Sequence, residues 1–99
     1  MQIGTDIVHI TRFAKTLEDS GQAERVFAPE EMTESQETMA GKFAAKEAYF
    51  KAKQKKGDWR SIMVLSRADG APYLVCGEQN VSLSISHDGE YAIAVVLIS

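Results

Sequence analysis

Apolar residues recur at helical spacing between about Glu34 and Gln54, and this segment dominates the hydrophobic pattern of the chain. On a wheel of 100° per residue one apolar stripe contains Met39, Phe43 and Phe50, and it is flanked by Ala40, Ala44 and Ala48. The spacing therefore predicts a long central helix with a broad buried arc.

Three charged residues of this helix lie close to the apolar arc. Glu47 falls between the large apolar residues and the alanines, and Lys51 follows one turn later on the same side. Lys46 lies at the opposite edge of the large apolar stripe. Because a carboxylate in an apolar arc is costly unless it is paired, hydrogen-bonded or bound to a cation, Glu47 is the first candidate for function.

The remaining pattern predicts an α+β fold, with an antiparallel sheet packed on the long central helix. A buried strand is expected at residues 2–8, a helix from about His9 to Asp19, a helical turn at 22–27 and another that starts at Pro29. Either Thr33, in a capping box with Gln36, or Ser35 is expected to cap the central helix, and Gly57 to follow its basic end.

The second half of the chain is rich in β-strand patterns. Strands are expected at residues 60–67, 72–76, 81–86 and 90–98, with turns at 68–71 and 87–89. The last strand is apolar on both faces, which predicts a central position in an antiparallel meander. We expect a single domain over residues 1–99.

Composition narrows the function classes. A net charge of −3 argues against a general nucleic-acid binder, and a single cysteine, Cys76, excludes an intramolecular disulfide. Cys76 is expected to be a small core residue rather than a nucleophile. The chain shows no signal peptide and no apolar run long enough to span a bilayer, so we expect a cytoplasmic protein.

Asp6 is the second unexpected charge, because aspartate is depleted in strands. It could cap the following helix, or it could meet Glu47 where the strand packs on the central helix. Two converging carboxylates suit Mg²⁺, which takes further ligands from water and phosphates, and Lys46 and Lys51 would then face those phosphates. The spacing leaves this hypothesis open against a simple Glu47–Lys51 salt bridge.

Two further features have ordinary explanations. His87, in a Ser-His-Asp-Gly segment, is typical of a hydrogen-bonding turn residue, and Lys55 and Lys56 of a solvated helix end. No Gly-x-x-x-x-Gly-Lys-Ser/Thr motif occurs, which excludes a P-loop.

Two segments together carry a family resemblance. Ile3-Gly4-Thr5-Asp6-Ile7-Val8 and, some forty residues later, Gly41-Lys42-Phe43-Ala44-Ala45-Lys46-Glu47-Ala48-Tyr49-Phe50-Lys51-Ala52 resemble the paired signature of the 4′-phosphopantetheinyl transferases. The chain is most similar to the short holo-acyl-carrier-protein synthase type. Ser84-Ile85-Ser86-His87 near the C-terminus supports the match.

The resemblance implies transfer of 4′-phosphopantetheine from coenzyme A to a serine of an apo carrier protein, with 3′,5′-ADP as the other product. It implies that Asp6 and Glu47 hold Mg²⁺ and that Glu47, Lys46 and Lys51 are catalytic. The implied coenzyme A contacts are Lys42, Phe43, Lys46, Lys51, Ser86 and His87. The implied carrier-protein contacts are Arg12, Lys15 and Arg25.

The resemblance also implies a homo-oligomer, most simply a trimer, with coenzyme A bound between neighbouring subunits. The basic segment from Lys53 to Trp59 departs from the family's Gly-rich loop. An alternative is therefore a module that binds coenzyme A or a carrier protein without turnover. An RNA-binding domain using residues 51–56 is a further alternative, which the acidic composition disfavours.

Overall fold

The computed structural model describes residues 1–33 and 35–99 and shows an α+β arrangement built on one long helix. Its strands are β1 Gln2–His9, β2 Met63–Ser66, β3 Pro72–Val75, β4 Val81–Asp88 and β5 Tyr91–Ile98. Its helices are α1 Ile10–Ser20, α2 Ala23–Val26 and α3 Gln36–Lys53, and two 3₁₀ turns span Pro29–Glu31 and Trp59–Ser61. The expected start of α3 at Glu34 lies outside the described residues.

The main sheet has three antiparallel strands in the order β1-β5-β4. The prediction that the last strand is central is confirmed. The prediction of one continuous meander is wrong, because β2 and β3 pair only with each other in a separate two-stranded sheet among the described residues. Non-local pairing of this kind is not specified by the alternation within a single strand.

β1 packs on α3 through a face that carries Gly4, Asp6 and Val8. A Cβ built at Gly4 would lie 2.0 Å from the Ala48 carbonyl oxygen, so only glycine permits this approach of helix and strand. The opposite face of β1 is exposed at Ile3 (68%) and Ile7 (62%). The strand that was predicted to be buried is therefore buried on one face only in the single chain.

Caps define the helix ends. The His9 side chain accepts from the Arg12 N–H and caps α1, so the alternative in which Asp6 caps this helix is wrong. The Ser35 hydroxyl caps α3 and accepts from the Thr38 N–H. The last helical residue is Lys53, and Gln54, which adopts φ 55°, is the C-cap, so the predicted end near Gln54 is confirmed and Gly57 lies three residues beyond it.

The turns of the β-rich half follow local chemistry. The 68–71 turn forms as predicted, with the Asp69 carboxylate accepting from the Ala71 N–H at 3.0 Å. The connection from β4 to β5 is Gly89–Glu90, so the turn expected at 87–89 is wrong and His87 belongs to β4. β2 is shorter than predicted because Asp58 caps the 3₁₀ turn before it.

α3 is enclosed on two sides. Its alanines pack against the sheet, and Ala40, Ala44, Ala45 and Ala48 are fully buried. On another side Phe43 stacks on Phe13 of α1, with ring centroids 4.7 Å apart, and lies 5.6 Å from Trp59. No helix within the described ranges is long and apolar enough to cross a membrane.

Candidate active site

Two adjoining cavities follow the surface where β1, the C-terminal half of α3 and the 3₁₀ turn at Trp59 meet. The first, of about 710 Å³, is lined by Glu47, Phe50, Lys51, Gln54, Lys55, Lys56, Gly57 and Trp59. The second, of about 530 Å³, includes Asp6, Val8, Arg12, Phe13, Val26, Phe43, Glu47 and Trp59. Since Glu47 and Trp59 line both, the cavities form one groove that is divided at these two side chains.

Asp6 reaches this groove because β1 directs it towards α3. Its carboxylate accepts a hydrogen bond from the Lys51 ammonium, with Nζ and Oδ1 2.8 Å apart. The Asp6 side chain is 16% exposed, whereas the Lys51 side chain is 57% exposed. The pair is therefore open on the lysine side, where an incoming anion can approach the ammonium.

Glu47 is half-buried and lines both cavities, one turn before Lys51 on α3. The alternative of a Glu47–Lys51 salt bridge is wrong, because the Lys51 ammonium contacts Asp6 instead. In residues 1–33 and 35–99 no ion pair involves Glu47. Its carboxylate is free to receive a cation or a ligand.

Asp6 and Glu47 both line the second cavity, so the structure brings the two predicted metal ligands to one place. Within the described part of the chain no cluster of three or more His, Cys, Asp or Glu side chains could hold a metal ion. Two carboxylates fit an ion such as Mg²⁺ that keeps most of its ligands as water or phosphate oxygens. Asp6 already contacts a cationic group, the ammonium of Lys51.

Lys46 does not face the groove, and the prediction that it faces phosphates is wrong in this structure. Its side chain is fully buried and its ammonium donates to the Val26 carbonyl, the Glu31 carboxylate and the Trp59 carbonyl. Burial lowers the pKa of Lys46, and the Glu31 carboxylate opposes that shift. The buried charge of α3 is thus Lys46, whereas the wheel had placed Glu47 in the buried arc.

Lys42 and Phe43 also differ from their expected role as coenzyme A contacts. The Lys42 ammonium donates to the Glu31 carbonyl at 2.7 Å, and burial lowers its pKa. Phe43 lines the second cavity as part of the aromatic cluster with Phe13 and Trp59. Phe43 is therefore placed to contact a ligand, whereas the Lys42 ammonium makes a hydrogen bond within the chain.

Ser86 and His87 lie at the exposed end of β4 and line neither cavity. The His87 Nδ1 atom is 3.3 Å from the Glu37 carboxylate, near the start of α3. Within a single chain the structure does not bring these residues to Asp6 and Glu47.

The three predicted carrier-protein contacts are exposed but lie on different surfaces. Arg12 lines the second cavity, whereas Lys15 forms an exposed ion pair with Asp19 at 3.9 Å. Arg25 lines a separate cavity together with Gly57 and Trp59. Of the three, Arg12 is the one that lines a cavity of the candidate site itself.

Sequence reasoning missed two residues that shape the site. Trp59 lines both cavities, and Glu31 is fully buried against Lys46. A lone tryptophan next to a turn-forming Gly-Asp pair was a usable signal for Trp59. No local signal marked Glu31, because its burial follows from contacts with distant segments.

The groove combines features of a phosphate site. Lys51, Lys55 and Lys56 line the first cavity, and Phe50 and Trp59 provide apolar surface between them. Ammonium groups bind the phosphates of a polyanionic ligand, and a neighbouring pair of carboxylates binds the divalent cation that accompanies those phosphates. The arrangement therefore suits phosphoryl chemistry on a ligand with an apolar part.

Comparisons with known proteins agree with this chemistry. Residues 2–96 match the family described as the 4′-phosphopantetheinyl transferase superfamily. The holo-[acyl-carrier-protein] synthase of Sulfurovum sp. (strain NBC37-1) is 36% identical, over 99% of this chain and 96% of the relative. That of Chlorobaculum parvum is 37% identical, over 99% of this chain and 97% of the relative.

Solved structures give the same result. The Helicobacter pylori holo-[acyl-carrier-protein] synthase in complex with coenzyme A superposes with a TM-score of 0.91 at 34% identity, covering 98% of this chain and 99% of that one. The Bacillus anthracis enzyme, in complex with coenzyme A (3′,5′-ADP), has a TM-score of 0.85 at 35% identity, covering 96% and 92%. The predicted fold class is confirmed.

Proposed function

The chain belongs to the 4′-phosphopantetheinyl transferase superfamily, as its motifs predicted, and we propose that it is a holo-acyl-carrier-protein synthase. It transfers 4′-phosphopantetheine from coenzyme A to a serine of an apo acyl carrier protein. The observation that carries this proposal is the meeting of Asp6, Glu47 and Lys51 in one groove lined by further lysines.

The reaction exchanges one phosphoester partner for another. The carrier-protein serine oxygen bonds to the phosphorus that bears pantetheine, and the bond from that phosphorus to the bridging pyrophosphate oxygen breaks. 3′,5′-ADP leaves and the serine proton is released. Because the nucleophile comes from the partner, this chain contributes positioning and charge neutralisation.

Mg²⁺ is the proposed metal, with Asp6 and Glu47 as its protein ligands. Two carboxylates at one groove, one of them already against an ammonium group, support this assignment. The ion would neutralise the coenzyme A pyrophosphate when bound. Lys51 remains the proposed catalytic lysine, since its side chain is exposed and its ammonium can turn from Asp6 to a phosphate oxygen or to the leaving group.

The two cavities suggest how the substrate lies. Lys55 and Lys56 in the first cavity are the proposed partners of the phosphates at the nucleotide end. The second cavity continues past Phe43 towards Arg12 on α1, so we assign it to the pantetheine arm and the approaching carrier protein. Arg12 is the proposed contact with acidic residues of that partner, with Lys15 and Arg25 further out.

The outer face of the sheet supports the proposed homotrimer. Ile3, Ile7, Tyr91, Ile93 and Val95 leave an apolar surface open on β1 and β5. Ser86 is paired with Ile93, which is paired with Ile7, so these three side chains share this face. A subunit docked on this face would meet Ser86. Ser86 and the adjacent His87 would then help to complete a coenzyme A site that one chain leaves unfinished.

The proposed setting is fatty-acid biosynthesis in the cytoplasm, where acyl carrier protein is the acceptor. The test is incubation with coenzyme A, Mg²⁺ and apo acyl carrier protein, followed by intact mass measurement of the carrier. We expect the mass of one phosphopantetheine group to be added. An unchanged mass for every apo-carrier protein of the host would overturn the enzyme proposal in favour of a binding module.

A further inference from the structure

The ammonium of Lys46 joins three separate segments of the chain to α3. It donates to the Val26 carbonyl at 2.6 Å, to the Glu31 carboxylate at 2.7 Å and to the Trp59 carbonyl at 2.9 Å. An ammonium group has three N–H donors, so all of them are used. The group is fixed in direction as well as in place.

Glu31 holds the other side of this contact. Its Oε1 atom also accepts from the Ala28 N–H, and its Oε2 atom accepts from the Val64 N–H, each at 2.9 Å. Both side chains of the ion pair are 0% exposed. Because a buried pair adds little net stability over apolar residues of the same size, its geometry is the better clue to its role.

Two of the three segments that Lys46 holds are walls of the groove. Val26 lines the second cavity, and Trp59 lines both. The neighbouring residue on α3, Glu47, lines the second cavity together with both of them. The Lys46 contacts therefore tie two residues that share this cavity with Glu47 to the helix that carries Glu47.

We propose that Lys46, oriented by Glu31, is a positioning residue that fixes Val26 and Trp59 relative to α3 and thereby sets the width of the groove at Glu47. Its relevance to transfer rests on the proposed function. The reaction is mostly positioning, so a displaced wall weakens coenzyme A binding before it alters the chemistry at the phosphorus.

Trp59 provides a direct readout, because it is the only tryptophan in the chain. In the double variant Lys46→Met, Glu31→Gln, which removes the ammonium without leaving a buried carboxylate, we expect the tryptophan emission of the folded protein to shift to the red. We also expect KM for coenzyme A to rise about tenfold with kcat within about threefold of wild type. Should that variant not fold, Lys46→Gln, which keeps two N–H donors on a shorter chain, is measured in the same way.

Val96→Ala is the matched control for lost stability. Val96 is fully buried on the central strand and lines neither cavity, so this variant should lower stability with wild-type emission and KM. A folded Lys46 variant with wild-type emission, or with shifted emission and unchanged KM, would overturn the proposal. The emission measurement contains no substrate, so it reports the environment of Trp59 even if the wild-type protein does not transfer phosphopantetheine. Such a failure of transfer would overturn the proposed function instead.

Discussion

The lysines of α3 differ in what their ammonium groups contact, and this difference distinguishes a structural role for Lys46 from a catalytic role for Lys51. Lys46 is buried among protein acceptors, whereas the Lys51 side chain is more than half exposed and its ammonium contacts the Asp6 carboxylate. A fully satisfied buried ammonium holds a fold together, and an exposed one on a carboxylate can exchange partners.

Lys51→Met should separate catalysis from stability. The Lys51–Asp6 pair is open to solvent on one side, so we expect the free energy of unfolding to fall by less than about 1 kcal/mol. The transfer rate should fall about 100-fold, because a donor to the phosphates is lost. Urea unfolding and intact-mass kinetics measure the two effects.

Lys53→Met is the matched control for that variant. Lys53 also pairs with a carboxylate, Glu78, but it lines neither cavity. It should lose at least as much stability, because the Lys53 side chain is only 22% exposed, and it should keep wild-type transfer. Equal transfer by the two variants would contradict the role assigned to Lys51.

The buried hydroxyl of Tyr49 should make the free energy of unfolding depend on pH. Burial raises the pKa of its hydroxyl from 10.0, and Cys76 and Glu78 add to the shift. The folded protein therefore keeps this proton to higher pH than the unfolded chain does. The stabilising contribution is complete below pH 10.0 and is lost as the pH rises through the folded-state pKa.

Urea unfolding of wild type and Tyr49→Phe at a series of pH values around 10.0 tests this sign. The variant should lose less stability than wild type on the alkaline side. Lys42 and Lys46, whose pKa values are lowered, act in the opposite direction but are present in both proteins. Identical alkaline slopes would show that Tyr49 does not contribute.

At the level of elements, the site depends on how closely β1 approaches α3. Because Gly4 has no side chain, the Ala48 carbonyl can contact β1 directly. This close approach places Asp6 of β1 within hydrogen-bond distance of Lys51 on α3. We expect Gly4→Ala to cost about 3 kcal/mol or more in the free energy of unfolding, because its Cβ meets backbone that cannot move without separating strand and helix.

Gly21→Ala is the control for the same change in another setting. Gly21 has φ 62°, and no described residue has an atom within 4 Å of a built Cβ, so only the left-handed backbone penalty of about 1 kcal/mol applies. Thermal and urea unfolding of the two variants compare these costs. A smaller loss for Gly4→Ala than for Gly21→Ala would refute the close packing at β1.

Local sequence patterns predicted the bounds of helices and strands better than the burial of individual side chains. The alternation of β4 and the apolar spacing of α1 depend on residues within each element, and both were predicted close to their observed bounds. The burial of Lys46 was not predictable in this way. α3 is covered by the sheet on one side and by the Glu31 segment on another, so a wheel with one buried arc assigned the burial to Glu47.

The candidate site was predictable to the extent that its residues break a local rule. Asp6 in a strand and Glu47 beside an apolar stripe were recognised from the sequence, and the structure brings them to one cavity. The contacts of Lys46 with Glu31 and with the Trp59 carbonyl join chain segments that are apart in sequence, so no local window of residues could reveal them.

At the scale of the whole molecule, the proposed assembly predicts that the apolar sheet face is required for activity. Ile93→Ser places a polar group in the centre of that face, where Ile93 is 41% exposed in the single chain. We expect light scattering to give the mass of three subunits for wild type and of one for the variant. Transfer should be lost together with the assembly, since Ser86 and His87 would come from a neighbour.

Val75→Ser is the control on another surface. Val75 is 40% exposed at the end of β3, outside the three-stranded sheet, so the same kind of change should leave mass and transfer unaltered. A wild-type chain that is monomeric and fully active would contradict the shared site.

The central claim is that Asp6 and Glu47 form the Mg²⁺ site of a phosphopantetheinyl transferase. Its most direct test is the Mg²⁺-dependent rate at which wild type and Glu47→Gln add phosphopantetheine to apo acyl carrier protein, followed by intact mass. Glu47 has no ion-pair partner among the described residues, so the variant should fold with wild-type or greater stability. We expect its transfer to be slower by about 100-fold or more at every Mg²⁺ concentration. A folded Glu47→Gln protein that transfers at the wild-type rate, with the same Mg²⁺ dependence, would contradict the assignment.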